Sequence, residues 1–296
     1  MIKINGLDLP IKTFPNGEVL INIEDVVCAI DAISNVSSTS NEIYVEFSWK
    51  NDADLLHLKF VSDYFRSKKY RVNIRINYMP YSRMDRQTSA LFTLRSACDF
   101  INSLDFDSVV VAEPHSDVTC ALLDNATAWN LTSELFGKVA GFWNEQTYLP
   151  KFDVGQDVLV LPDAGAQKRY SELSVLPHLV GFKHRNTSGE ITSLELVSTG
   201  DGALQNKSRA FILDDLCSFG GTFVRVCEKL SDQFDEIYLI VAHLEESVYQ
   251  GELLTTLTDG YKYLDGIFAS NSLQDKSKDP AVHLYNLQTE RWINDN

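Results

Sequence analysis

Phe211-Ile-Leu-Asp-Asp-Leu-Cys-Ser-Phe-Gly-Gly-Thr-Phe223 decides the reading of this chain. An apolar run ends in two adjacent carboxylates, Asp214 and Asp215, then passes through a small-residue turn into a helix-like pattern. Strand, turn and helix in that order place the turn at the C-terminal edge of a parallel sheet, where open α/β folds hold ligands. Acidic side chains there accept hydrogen bonds from sugar hydroxyls, while the amides of a glycine turn and a helix N-terminus face a phosphate. Asp214 and Asp215 are therefore expected at a ribose, and the turn of Ser218, Phe219, Gly220, Gly221 and Thr222 at its phosphate. A buried strand with a solvated turn is the plainer alternative, but paired acids directly after an apolar strand are uncommon.

The same order of elements extends in both directions. Strand-like segments (Glu42 to Phe47, Tyr70 to Tyr78, Ser108 to Ala112) alternate with helix-like ones (Asp54 to Ser67, Thr93 to Ser103, Ser116 to Leu123). The alternation resumes with strands at Asp157 to Leu161, His178 to Phe182, Ala210 to Leu213 and Glu236 to Val241. Helices are expected at Gln167 to Leu173 and Thr222 to Leu230. This is the signature of parallel sheets covered by helices. A composition shift at Asn125 to Leu131, before a helix-like Thr132 to Trp143, divides the chain into two similar α/β domains, 1–131 and 132–296. Gln274 to Pro280 reads as a polar loop, with the stretch after it returning to pack elsewhere.

Composition narrows the partners. The 296 residues carry a formal charge of -15, so a nucleic-acid backbone, which is held by Lys and Arg, is excluded as a general partner. Cys28, Cys98, Cys120, Cys217 and Cys227 form no CxxC pair and read as reduced thiols. The N-terminus shows no signal-like apolar region, and no run is long enough to cross a bilayer. A cytoplasmic protein with no membrane partner is expected.

Five further segments carry polar residues at strand ends. In Val160-Leu-Pro-Asp-Ala-Gly-Ala-Gln-Lys-Arg-Tyr170, Asp163 offers a hard oxygen suited to magnesium, and the small residues let a phosphate approach the backbone. Tyr78-Met-Pro-Tyr-Ser-Arg-Met-Asp-Arg-Gln87 brings Arg83 and Arg86, whose guanidinium forks suit phosphate oxygens, beside Asp85. Phe14-Pro-Asn-Gly-Glu18 reads as a turn. His115, in Ala112-Glu-Pro-His-Ser-Asp117, follows a strand and offers an imidazole to a divalent ion. In Gly181-Phe-Lys-His-Arg185, Lys183 and Arg185 lie two apart, so on an extended segment they point to one side and converge on one phosphate.

Together these segments resemble, in order, the motifs of the ribose-phosphate pyrophosphokinase family. Its sugar-phosphate loop usually reads Asp-Asp, two apolar residues, Asp-Thr, two small residues, Thr. Its pyrophosphate stretch reads Pro-Asp-Ala-Gly-Gly-x-Lys-Arg, matched at Pro162, Asp163, Ala164, Gly165, Lys168 and Arg169. Tyr81, Arg83, Asp85 and Arg86 match its ATP-site motif, with Met84 in place of Gln. Phe14, Asn16 and Glu18 match a loop that reaches the ATP of a neighbouring subunit. His115 takes the place of its metal-binding His, with Glu113 for the usual Asp, and Lys183 and Arg185 match the cations at the root of its mobile catalytic loop.

The resemblance implies two domains of type I phosphoribosyltransferase-like fold and a homo-oligomer, dimer or hexamer. It also implies magnesium at His115 and Asp163, and transfer of the β,γ-diphosphate of ATP to the C1 hydroxyl of ribose 5-phosphate. The family's opening strand and helix have no counterpart before Phe14. Ser218 and Phe219 stand where Asp-Thr is usual. An aromatic ring there offers little to a terminal phosphate but can stack on a base carried by a 5-substituent. Phage enzymes similar to this family, which add diphosphate to ADP-ribose in rebuilding NAD, give the second expected acceptor. A type I phosphoribosyltransferase and a non-catalytic partner subunit are the alternatives.

Overall fold

A computed structural model describes residues 1–31, 41–141, 146–185, 191–198, 208–256 and 262–293, the side chains of 183–185 and 191–193 excepted. Two compact units emerge, Met1–Trp129 and Asn130–Asn296.

In the first unit, β1 (Ile2–Ile4), β2 (Leu7–Asp8), β3 (Lys12–Thr13), β4 (Val19–Leu20) and α1 (Ile23–Asp31) precede the alternating part. That part runs β5 (Glu42–Phe47), α2 (Ala53–Ser67), β6 (Arg71–Ile76), α3 (Thr93–Asn102), β7 (Ser108–Ala112), α4 (Val118–Leu122) and β8 (Ala126–Trp129). The sheet order is β2-β1-β5-β6-β7-β8, with β5 to β8 parallel. Ile43, Val45 and Phe47 alternate with polar neighbours, as do Val72, Ile74 and Ile76, so each strand gives one face to the core. On α3, Leu94, Ala97, Cys98 and Ile101 recur at helical spacing and meet that face. The other face is polar, and Arg75 spans two strands to Glu46 at 2.7 Å.

Contrary to the expectation that no opening strand precedes Phe14, β1 does so and covers the edge of β5. Antiparallel β1 pairs Ile2 with Phe47 and Ile4 with Val45, which buries both isoleucines. β3 and β4 form a separate antiparallel hairpin.

The second unit contains α5 (Leu131–Ala140), β9 (Asp157–Leu161), α6 (Ala164–Arg169), β10 (His178–Arg185), β11 (Ile191–Ser198) and β12 (Arg209–Cys217). There follow α7 (Gly221–Leu230), β13 (Glu236–Leu244), β14 (Gly266–Ser270), β15 (Val282–Asn286) and β16 (Arg291–Trp292). Its sheet order is β11-β10-β9-β12-β13-β14-β15-β16, parallel from β10 to β15 and antiparallel at both edges. β9 and β14 are buried at every residue, as strands covered on both faces must be. The stretch after Pro280 does return, as β15 and β16 on the sheet edge. Each unit is thus a parallel-rich sheet flanked by helices. Among the described residues no helix is long and apolar enough to cross a membrane.

One expectation needs correction. Asp214 and Asp215 do not follow a strand that ends at Leu213; they lie within β12, which runs on to Cys217. β9 stops pairing at Ile212, whereas β13 accompanies the strand further, through Leu216↔His243 and Cys217↔Leu244. The acids therefore sit where β12 has lost one neighbour but not the other.

Candidate active site

In the second unit, the polar groups come from the turn after β9, the end of α6 and the C-terminal half of β12. Asp163 caps α6: its carboxylate accepts the Ala166 N–H at 3.0 Å. The last residue of that helix, Arg169, reaches β12 and donates to Asp215 at 2.8 Å and to Asp214 at 3.5 Å. Asp215 is buried and Asp214 is 16% exposed, so the pair faces largely away from water. Burial, then the charges of Asp215 and Asp163, hold the Asp214 carboxyl well above its ordinary 3.8, with Arg169 opposing. The proton belongs to the coupled pair. A protonated member both donates and accepts, which suits a sugar hydroxyl.

That shift has a consequence for stability. A carboxyl whose pKa is raised by folding binds more protons in the folded state, so stability falls as pH climbs from 3.8 through the folded value. Asp214→Asn is expected to raise the melting temperature at pH 7 and above, with the gain shrinking as pH falls toward 3.8. A melting curve across pH checks this, and a gain that grows on acidification contradicts it.

The turn into α7 is tightly backed. Gly220 adopts φ +84° as the residue preceding the helix, and a Cβ there would lie 2.8 Å from Leu253. A Cβ on Gly251 would lie 1.9 Å from the Phe219 carbonyl oxygen. Gly251→Ala therefore pushes the turn out of place and is expected to cost about 1–3 kcal/mol, read by urea denaturation. Phe219 itself is 57% exposed, and Gly221 has open space beside its Cα. Thr222 lies half-buried in the first turn of α7, where amides have no partner within the helix. The Ser218 hydroxyl donates to Glu245 at 2.7 Å.

In the first unit, Phe14 to Glu18 form the tip of the β3–β4 hairpin. Phe14 N–H donates to the Glu18 carbonyl at 2.7 Å, and Gly17 N–H to the Phe14 carbonyl at 2.9 Å. Asn16 donates to the Glu18 carboxylate at 2.8 Å and accepts the Glu18 N–H at 3.1 Å, while the Phe14 ring is 41% exposed. The Tyr78 to Gln87 loop buries Asp85, leaves Arg83 and Arg86 exposed, and pairs Arg86 with Asp85 at 3.0 Å. Burial raises the Asp85 pKa, but polar contact with Ser116 and Arg86 and the charges of Arg86 and His115 outweigh it and set it below 3.8. The structure thus joins the arginine loop to the His115 loop, two segments about which spacing alone says nothing. Tyr81, at φ +62°, donates to Asp52 at 2.6 Å and packs on Trp49.

His115 and Asp163 belong to different units. Among the described residues no three His, Cys, Asp or Glu side chains gather as a metal cage. Lys183 and Arg185 lie on β10, opposite Leu194 and Ile191 of β11, and their side chains fall outside the described residues. Gly181, just before them, packs on Pro162: a Cβ there would meet the Pro162 carbonyl oxygen at 2.4 Å. Sequence reasoning missed two parts of this arrangement, the ion pair of Arg169 with the acids and the carboxylate of Glu245.

No protein-family model matches the chain. "Ribose-phosphate pyrophosphokinase A" of Dictyostelium discoideum is 26% identical over 253 residues, covering 83% of this chain and 72% of that protein. "Ribose-phosphate pyrophosphokinase" of Pyrococcus furiosus is 24% identical over 228 residues, covering 75% and 72%. Among solved structures, phosphoribosylpyrophosphate synthetase from Mycobacterium smegmatis superposes with a TM-score of 0.68 at 16% identity, over 95% of this chain and 87% of that one. In sequence, then, the chain is similar to ribose-phosphate pyrophosphokinases over three quarters or more of its length. The likenesses support a transferase enzyme, and the structural neighbour shows a shared phosphoribosyltransferase-like fold. Glu245 is absent from the resemblance on which the sequence was read, yet Leu244-Glu245 repeats the pattern of apolar strand then acid that drew attention to Asp214.

Proposed function

We propose that the protein transfers the β,γ-diphosphate of ATP to the C1 hydroxyl of a ribose 5-phosphate moiety. The hydroxyl oxygen attacks the β-phosphorus and a C1–O–P bond forms. The bond from that phosphorus to the α,β-bridging oxygen breaks, AMP leaves with the electron pair, and the hydroxyl proton passes to solvent. The observation that carries this reading is the Asp214, Asp215 and Arg169 cluster on β12 beside a glycine turn that opens α7. It offers carboxyls to ribose hydroxyls and amides to a phosphoryl group within one short segment. The order of the other motifs and the relatives' names support it.

Phe14, Asn16 and Glu18 would hold adenine, with Arg83, Asp85 and Arg86 at the nucleotide. The exposed Phe14 ring suits a loop that serves a neighbouring copy, so a homo-oligomer belongs to this reading. Lys183 and Arg185 would neutralise charge at the transferred group. Asp163 in the second unit offers one hard oxygen and His115 in the first one nitrogen, and among the described residues neither sits in a cage, which fits magnesium held mainly by substrate phosphates and water. When bound, the ion supplies charge neutralisation between ATP and acceptor. A cytoplasmic enzyme of nucleotide or NAD synthesis is the setting this chemistry suits.

Both ribose 5-phosphate and ADP-ribose satisfy this reaction, and the exposed ring of Phe219 favours an acceptor with a base on its 5-substituent. Incubation with ATP, magnesium and each acceptor in turn, with AMP and ADP counted separately, tests the proposal. AMP that appears only with an acceptor is expected; no AMP with either contradicts it.

A further inference from the structure

Glu245 follows β13 directly, and its N–H donates to the Cys217 carbonyl at 2.9 Å, so its backbone is tied to the end of β12. Its carboxylate accepts the Ser218 hydroxyl at 2.7 Å and the Ser247 hydroxyl at 3.2 Å. The two hydroxyls lie 3.1 Å apart. The hydroxyl at the head of the phosphate turn is therefore directed at an acid. Gly251 and Leu253 back the next two residues of the turn, Phe219 and Gly220. Glu245 is only partly exposed, which limits the screening of its charge by salt.

A negative charge at this place discriminates between phosphoryl groups. A terminal phosphate monoester carries close to two charges above its second pKa of about 6, whereas a phosphoryl group bridged on both sides, by ribose and by a second phosphoryl group, carries one. Repulsion at hydrogen-bonding range is stronger for the former. The Phe219 ring, 57% exposed one residue further on, gives a second substituent a face to stack on.

We infer that Glu245 is a specificity residue that selects against a terminal 5-phosphate and for a ribose whose 5-phosphoryl group is joined through a diphosphate anhydride to a nucleoside. The inference rests on the diphosphotransferase reading.

The test compares kcat/KM for ADP-ribose and for ribose 5-phosphate. In Glu245→Gln, which keeps an acceptor for Ser218 and Ser247, the ratio shifts about tenfold or more toward ribose 5-phosphate, mainly through KM. In the wild-type protein the ratio falls at least about threefold between pH 8 and pH 5.5, as the terminal phosphate takes up its proton. A Glu245→Gln protein that melts like the wild type with an unmoved ratio overturns the inference. Should that variant not fold, the wild-type pH dependence decides: a flat ratio overturns it. AMP released from neither acceptor defeats the underlying reaction and the inference with it, whereas AMP release with an unmoved ratio defeats only the role of Glu245.

Discussion

Lys183→Ala lowers turnover by at least about a hundredfold while ATP binding changes little. Lys183 lies on β10, which pairs with β9 up to Val180↔Leu161 and then continues beside β11 alone. It lies two positions after Gly181, whose backbone packs on Pro162 next to Asp163. In the proposed reaction a cation anchored there would meet the charge that develops on the transferred diphosphoryl group, an interaction weak in the ground state. Its removal therefore appears in kcat and not in the affinity for ATP, a loss on the order of 3–4 kcal/mol. Single-turnover kinetics with a parallel titration of ATP checks both halves. Near-normal turnover removes Lys183 from the catalytic set, and a large loss of ATP affinity makes it a binding residue instead.

Arg169→Met has the second large effect, on stability as well as activity. Arg169 is 18% exposed and its main partner, Asp215, is 7% exposed, so the pair is poorly screened. Removal of the cation strands two neighbouring carboxyls in a dry place, with an expected cost of about 3 kcal/mol near neutral pH. The cost follows the proton. Without Arg169 the folded-state pKa of the acid pair rises further, so the loss grows as pH climbs and shrinks as the carboxyls protonate at acid pH. Adding Asp215→Asn recovers part of the loss, and urea denaturation of the double-mutant cycle measures the coupling. A single variant as stable as the wild type at pH 7 contradicts the electrostatic account of this cluster.

Much of the fold was legible because periodicity reports burial. β5, β7 and β9 begin and end where the apolar pattern places them, and α3 and α7 follow their helical stripes to within a residue. Chain segments that pair at long range were not legible. Ile2 pairs with Phe47 far along the chain, and the short run Ile2–Ile4 has too few residues to declare itself a strand. β12 was cut short for a different reason. Adjacent carboxylates look like a strand end, but the ladder bonds backbone groups regardless of side-chain charge, and β13 stays alongside to Cys217.

The candidate site divides in the same way. Individual segments such as Pro162 to Arg169 and Asp214 to Thr222 carry their chemistry in their composition. Their connections are tertiary: Arg169 and Asp215 stand 46 residues apart, and Ser218 and Glu245 stand 27 apart. Ser218 shows the difference most clearly. Its residue type suits a phosphate, and only the fold shows that its hydroxyl has Glu245 as a partner.

The central claim, that the diphosphoryl group moves as a unit, is tested most directly by phosphorus NMR of the products formed from ATP, magnesium and each acceptor. The account predicts AMP together with a sugar product that carries two coupled phosphorus signals on C1, in equal amounts. ADP with a singly phosphorylated sugar, or free diphosphate and phosphate with an unchanged acceptor, contradicts it.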